Sequence, residues 1–290
     1  MTLEMLANHI ARIARDIWIR GWAEAGAGNV SVRVPPALLD REDGPRSGEE
    51  WVPLDPEEPE LGGAFLLVTA SGSLFRTLVE APKRGCGVIG LDDTGARYRR
   101  VWGFEAQGRP SSEIRAHLAV HSVRSRAGAG EPLAVVHAHA THLVALTRAL
   151  SLDTISLTRL LWSTHAECMA FFPEGVEVAP WQAPGSQALS EVTARGLEAR
   201  RLVVWPFHGV VAVGKDLDEA LGLIEVGEKA AGLYLEAVGL GGPGEGLGGD
   251  ALRAIAAGFG VEPDETILNA PVVSPNAMPR GNQGGKEEEA

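Results

Sequence analysis

Three histidines fall within six positions of an apolar run, VVHAHATHL at residues 135–143. On an extended strand alternate side chains share a face, so His137 and His139 point the same way, about 7 Å apart along the chain. That spacing suits two imidazoles converging on one metal ion, and it equally suits a buried pair satisfied by hydrogen bonds. His142 lies three residues past His139, off the strand register, where a surface or supporting role is expected. The best candidate for a third ligand is His208 in WPFHGVVAVG, another apolar, strand-like segment. Gly209 beside it allows backbone or substrate to approach closely. His117 and His121 fall four and eight residues after Glu113, on one face of an expected helix. Ile114, Leu118 and Val120 flank that face, so packed or surface histidines are expected there.

Glu113 stands apart because of its position. In RPSSE, Ser111 and Ser112 take the cap positions of that helix and Glu113 its first turn. A helix N-terminus offers unpaired N–H groups and a field that favours an anion. Two further turns are anion-friendly, GAGNVS at 26–31 and TASGS at 69–73, each pairing glycine with short polar donors. Any one of them is only a turn. Together with H-x-H and a distant H-G they point to a phosphate pocket beside a metal.

These residues need elements to hold them. The N-terminal MTLEMLANHIARIARDIW spaces Leu3, Leu6, Ile10, Ile13 and Ile17 as an amphipathic helix. Val30, Val32 and Val34 alternate with Ser31 and Arg33 in a strand after the first glycine turn. AFLLVT and LAVVHAHAT read as buried strands, CGVIGLD with ARYRRVWG as a hairpin, and RLVVWPFHGVVAVG as two strands or one bent strand. Helices are expected after RPSSE, over THLVALTRAL, over SQALSEVTARGLEA and over DLDEALGLIEVGEKAAGLYLEAVG, with a shorter one in DALRAIAAGFG. Residues 151–182 show only short apolar pieces broken by Pro and Trp. The chain is expected to form one domain over 1–270, with an irregular insertion at 35–60, a Gly-rich break at 239–249 and a disordered tail at 271–290.

With 290 residues, 45% of them hydrophobic and 22% charged, the chain can bury a substantial core. Its net charge of -12 argues against a nucleic-acid partner, which needs clustered Lys and Arg. Two cysteines, Cys86 and Cys168, make no disulfide framework. No signal-peptide pattern is present, and no apolar run approaches the ~20 residues of a membrane span. A cytoplasmic protein is expected. The absence of a G-x-G-x-x-G fingerprint leaves a dinucleotide fold unsupported.

The order GNVS, TASGS, SSE, HAH, FHG resembles the class II aldolase/adducin family, over about Ile17 to Gly260. The WPFHG segment and the stretch LTRLLWSTHAECMAFFPEGVEVAPW favour a branch other than the shorter fuculose-phosphate aldolases. The resemblance implies an α/β fold, a mixed and largely antiparallel central sheet covered by helices. It implies one Zn²⁺ per subunit on His137, His139 and His208, with Glu113 as catalytic acid/base. Asn29, Ser71, Gly72, Ser111 and Ser112 match phosphate-binding positions, and Glu167 an acid reaching a neighbouring subunit's site. The chain departs from the pattern at Gly26, where a second Asn is expected. The implied reaction is reversible cleavage of a ketose 1-phosphate to dihydroxyacetone phosphate and L-lactaldehyde, in a homotetramer with fourfold symmetry. A sugar-phosphate 4-epimerase on the same scaffold is the alternative, although its Tyr and Asp have only Tyr98 and Tyr234 to match. An adducin-like interaction module would not need three ligands, and a zinc hydrolase would not need three anion turns.

Overall fold

The computed structural model describes residues 2–39, 50–105, 108–128, 133–242 and 244–272. The expected insertion is described only outside 40–49, and the expected tail only as far as 272. The strands are β1 (Asn29–Val34), β2 (Val52–Pro53), β3 (Phe65–Thr69), β4 (Cys86–Leu91), β5 (Arg97–Gly103), β6 (Ala134–Ala138), β7 (Glu177–Val178), β8 (Leu202–Trp205) and β9 (Gly209–Gly214). They form one sheet in the order β2-β5-β4-β3-β1-β6-β9-β8-β7. Every neighbouring pair is antiparallel except β7 with β8. The expected mixed, largely antiparallel sheet is what forms.

Helices α1 (Leu3–Ile19), α2 (Pro82–Gly85), α3 (Ile114–Arg126), α4 (Thr141–Ala149), α5 (Thr154–Thr164), α6 (Glu167–Phe171), α7 (Gln187–Ala199), α8 (Leu217–Gly239), α9 (Gly249–Phe259) and α10 (Glu265–Leu268) cover it. Strand alternation decides which side chains meet which helices. Val30, Val32, Val34, Val136 and Ala138 pack with α1, α4, α5 and α8 on one face. Val135, Val203, Val211 and Val213 pack with α3 and α7 on the other. In α1 the five apolar side chains named above are each at most 5% exposed, and such burial is worth roughly 1.5–3 kcal/mol per side chain. The Thr2 side chain caps that helix by accepting from the Met5 N–H at 3.2 Å.

Two elements differ from expectation. Residues 154–164 form a regular helix, α5, where only apolar fragments were read. Its start is an Asp cap: the Asp153 side chain accepts from the Ser156 N–H at 2.8 Å, and Leu157, Leu160 and Leu161 bury its inner face. Helix α3 begins at Ile114, so Glu113 is its N-cap residue and not part of its first turn. The cause lies upstream. The Ser111 N–H donates to the Thr69 carbonyl at 3.0 Å and Ala70 bridges Pro110, which holds the chain to the sheet as far as Ser111.

Candidate active site

Register places the first residues. Asn29 of β1 pairs with His137 of β6, and His137 pairs with Val211 of β9, so three neighbouring strands meet at this point. His139 follows the end of β6, where its N–H donates to the Trp22 carbonyl at 2.8 Å. His208 sits in the tight turn from β8 to β9. A Cβ on Gly209 would come within 2.6 Å of the Ala138 carbonyl and 2.9 Å of the His137 ring, so only glycine lets this turn close onto β6. Phe207 before it takes a positive φ of 63°, an uncommon strain for an aromatic residue.

His137, His139 and His208 converge. One nitrogen from each lies within 4.8 Å of the others, and the ring centroids are 5.0–5.2 Å apart. The Nδ1 of His137 donates to the Val210 carbonyl at 2.9 Å, which leaves Nε2 with its lone pair facing the cluster. The Nδ1 of His139 meets the Glu24 carboxylate at 2.6 Å, with the same consequence. Burial pushes His137 down to about 4 and lowers His208 as well, so both rings are neutral at pH 7. Neutral imidazoles with oriented outer nitrogens are the donor set a divalent transition metal takes. Trp205 stacks on His208 at 5.0 Å and walls the cluster from behind.

Glu113 reaches the same point from α3, 9% exposed. Its Oε2 is 3.4 Å from His137 Nε2 and its Oε1 3.6 Å from His208 Nε2. Asn29 Nδ2 donates to Oε2 at 2.6 Å. Burial alone would raise this carboxyl, but the facing His137 once protonated in acid, the Asn29 amide, and His208 and His117 when charged outweigh it and hold the group below its ordinary range. Glu113 is therefore ionised at neutral pH.

The two glycine turns also meet. A Cβ on Gly26 would stand 3.6 Å from Gly72 Cα, and the Ser71 N–H donates to the Arg109 carbonyl at 2.8 Å, which ties TASGS to the chain leading into SSE. Gly28, at φ 81°, passes within 3.2 Å of the His137 carbonyl measured from an added Cβ. Ser71, Gly72 and Ser112 are exposed and Ser111 half-buried, as an open anion pocket requires. Asn29 has both polar side-chain atoms engaged, by Glu113 and by His117, and keeps one amide hydrogen to offer.

Two residues singled out in the sequence lie outside the cluster, His142 in the supporting role expected of it. His142, its side chain 48% exposed, is outside the cluster: its Nδ1 meets Glu228 Oε1 at 2.9 Å. The buried Glu228 carboxylate also accepts the backbone N–H groups of His142 and Leu143 at 2.8 and 2.9 Å, capping α4 from α8. Glu167 is exposed at the start of α6, where its N–H donates to His165 Nδ1 at 3.1 Å. Among the described residues it makes no bond to the cluster. Glu24, Glu228 and the Asn29–Glu113 contact were not anticipated from sequence, since each joins residues 84–115 positions apart.

Three clustered imidazoles that could hold a metal ion, with a carboxylate facing two of them, lie beside paired glycine turns on a largely antiparallel α/β sheet. The profile of the Class II Aldolase and Adducin N-terminal domain matches residues 8–235. The rhamnulose-1-phosphate aldolase of Shigella boydii serotype 4 (strain Sb227) is 35% identical over 269 residues, 92% of this chain and 98% of its own length. A sugar-phosphate aldolase from Thermotoga maritima superposes with a TM-score of 0.70 at 30% identity, covering 82% of this chain and 97% of that one. An L-fuculose 1-phosphate aldolase, 21% identical, shares the fold with a TM-score of 0.59 over 90% of this chain and 98% of its own. The chain belongs to the class II aldolase and adducin family, on its aldolase side, and is a carbon–carbon lyase. No helix among the described residues is long and apolar enough to cross a membrane.

Proposed function

We propose that the protein is a zinc-dependent aldolase that reversibly cleaves L-rhamnulose 1-phosphate to dihydroxyacetone phosphate and L-lactaldehyde. The observation that carries this reading is the Glu113 carboxylate within 3.4–3.6 Å of two of three clustered imidazoles. The 35% identity to rhamnulose-1-phosphate aldolases over 92% of the chain supports the choice of sugar. His137, His139 and His208 would hold the ion. When bound, it supplies Lewis acidity to the substrate carbonyl and its neighbouring hydroxyl.

The chain's own groups do the rest. The turns at Gly26 and Gly72, with Ser71, Ser111, Ser112 and the spare Asn29 hydrogen, bind the phosphate and set the three-carbon unit against Glu113. In the addition direction Glu113 takes the carbon-bound proton of dihydroxyacetone phosphate, and in cleavage it returns that proton to the same carbon. Gly26 contributes only backbone to the phosphate turn. Release of dihydroxyacetone phosphate, followed by a coupled assay over a panel of ketose 1-phosphates, tests the assignment. L-rhamnulose 1-phosphate should give the highest kcat/KM. A preference for L-fuculose 1-phosphate would overturn the sugar, and no release from any of them would overturn the reaction.

Glu167, exposed and without a bond to the cluster in its own chain among the described residues, would complete the site of a neighbouring copy in a homotetramer and protonate the aldehyde-derived oxygen. Glu167→Ala should slow cleavage yet preserve solvent exchange of dihydroxyacetone phosphate, because taking the carbon-bound proton does not involve the aldehyde. Mixing Glu167→Ala with Glu113→Gln subunits should restore part of the cleavage activity, since the two lesions then fall in different sites. Failure to recover activity despite demonstrated subunit exchange would exclude the shared site.

A further inference from the structure

Behind Glu113, away from the histidine cluster, lies a row of buried polar side chains of which only Asn29 has a part in the steps above. His117 and His121 are one turn apart on α3 and 3% and 0% exposed. They face Asn29 and Ser31, which alternate on the α3 side of β1 and are 5% and 1% exposed. Ser31 Oγ lies 2.6 Å from His117 Nδ1 and 2.8 Å from His121 Nε2. His117 Nε2 is hydrogen-bonded to Asn29 Oδ1, and Asn29 Nδ2 to Glu113 Oε2.

Elementary donor and acceptor rules fix the sense of every bond in this row. Asn29 Nδ2 donates to Glu113 Oε2 at 2.6 Å, which turns the amide Oδ1 the other way, towards His117 Nε2. An amide oxygen only accepts, so His117 carries its proton on Nε2. Complete burial pushes His117 down to about 3 and His121 well below its ordinary value, so both rings are neutral and hold one proton each. The bare Nδ1 of His117 then accepts from the Ser31 hydroxyl, and the Ser31 oxygen accepts from His121 Nε2–H. His121 Nδ1 is left bare, and it is a buried nitrogen without a hydrogen-bond partner among the described residues. The row starts at that empty acceptor, and every donor in it points towards Glu113.

We propose that His117, backed by Ser31 and His121, is a positioning residue that locks the Asn29 amide with its N–H towards Glu113 and so holds the carboxylate in place for proton transfer. This rests on the reading of Glu113 as the proton-transfer group. An amide is nearly symmetric in shape, and turned over it would set Oδ1 against the Glu113 oxygen. The His117 Nε2–H is the group on the far side of the amide that selects the orientation. Stability alone does not call for such a row, since apolar side chains of similar shape in place of a satisfied buried pair can be nearly neutral.

The test compares His117→Leu, which removes the donor, with His117→Gln, which restores an N–H at similar reach. In zinc-loaded protein, His117→Leu should keep its metal content and stay folded, with Tm lowered by roughly a few degrees because the buried Asn29 Oδ1 and Ser31 hydroxyl each lose a partner. Its kcat for solvent hydrogen exchange of dihydroxyacetone phosphate should fall on the order of 10–100-fold with little change in KM, as for a group displaced by a fraction of an ångström. His117→Gln should recover most of that loss. If His117→Leu does not fold, Ser31→Ala, which removes the hydroxyl that fixes the His117 tautomer, should show a smaller kcat loss in the same sense. Independently, ¹⁵N imidazole spectra of the parent should show both His117 and His121 protonated on Nε2 alone. Parental exchange in His117→Leu, equal loss in Leu and Gln variants, or a His117 proton on Nδ1 would each overturn the positioning role. If the parent itself exchanges no hydrogen, it is the reading of Glu113 that fails, and the tautomers still decide whether the row runs as described.

Discussion

Glu113→Gln is expected to keep its metal and bind substrate while turnover falls by about 10²–10⁴, the range for a lost general base. That fall corresponds to roughly 3–5 kcal/mol of barrier. Glutamine preserves the shape of the side chain and can still accept from Asn29 Nδ2 through its carbonyl, so the pocket need not collapse. What it lacks is a basic oxygen. The native carboxylate is ionised at neutral pH although 9% exposed: despite burial it is held below its ordinary range, and the Asn29 amide donates to it. Steady-state cleavage rates read beside elemental analysis check this. A modest loss of metal is compatible with the proposed role, given the 3.4 and 3.6 Å approaches to His137 and His208. Near-parental turnover would move the proton-transfer role to another group.

The second large effect is on the metal itself. Removing any one of His137, His139 and His208 should strip most of the zinc, and a chelator should abolish activity in the parent. The three nitrogens lie within 4.8 Å of one another, and two of the rings have their outer nitrogens committed to Val210 and Glu24. Three ligands leave little redundancy: with two, the ion keeps too few fixed donors to be retained against competing chelators. His142→Ala is the control. Its ring is spoken for by Glu228 at 2.9 Å, outside the cluster, and its removal should leave zinc content unchanged. Full zinc in the His208→Ala protein would remove that residue from the ligand set.

Much of this arrangement was legible in the residues because it depends on local periodicity. Period-two spacing points His137 and His139 the same way, and they converge although β6 ends at Ala138, while glycine after His208 marks a close approach that the β8–β9 turn makes against Ala138. The alternation of Ser31 and Arg33 with valines likewise marked the two faces of β1. What escaped was what depends on contacts between distant segments. Nothing near Glu24 in the sequence indicates that it meets His139, 115 residues away. Spacing alone places Glu113, His117 and His121 along one side of α3, but the residues opposite them, Asn29 and Ser31, come from a strand more than 80 positions away. The start of α3 was read one residue early, since the bridge between Ala70 and Pro110 that delays it is a tertiary contact. In α5, Trp and β-branched residues blur the apolar period, and the Asp153 cap is the one local signal of its start.

The most direct measurement is deuterium incorporation from solvent into dihydroxyacetone phosphate, with no aldehyde present, followed by NMR. It isolates the step assigned to Glu113 beside the histidine cluster from everything that concerns the sugar, the neighbouring subunit or product release. Zinc-loaded protein should exchange one hydrogen on the hydroxymethyl carbon stereospecifically, and both the chelated protein and Glu113→Gln should leave it almost untouched. No exchange by folded, zinc-loaded protein, or exchange at the same rate in Glu113→Gln, would contradict the proposed site.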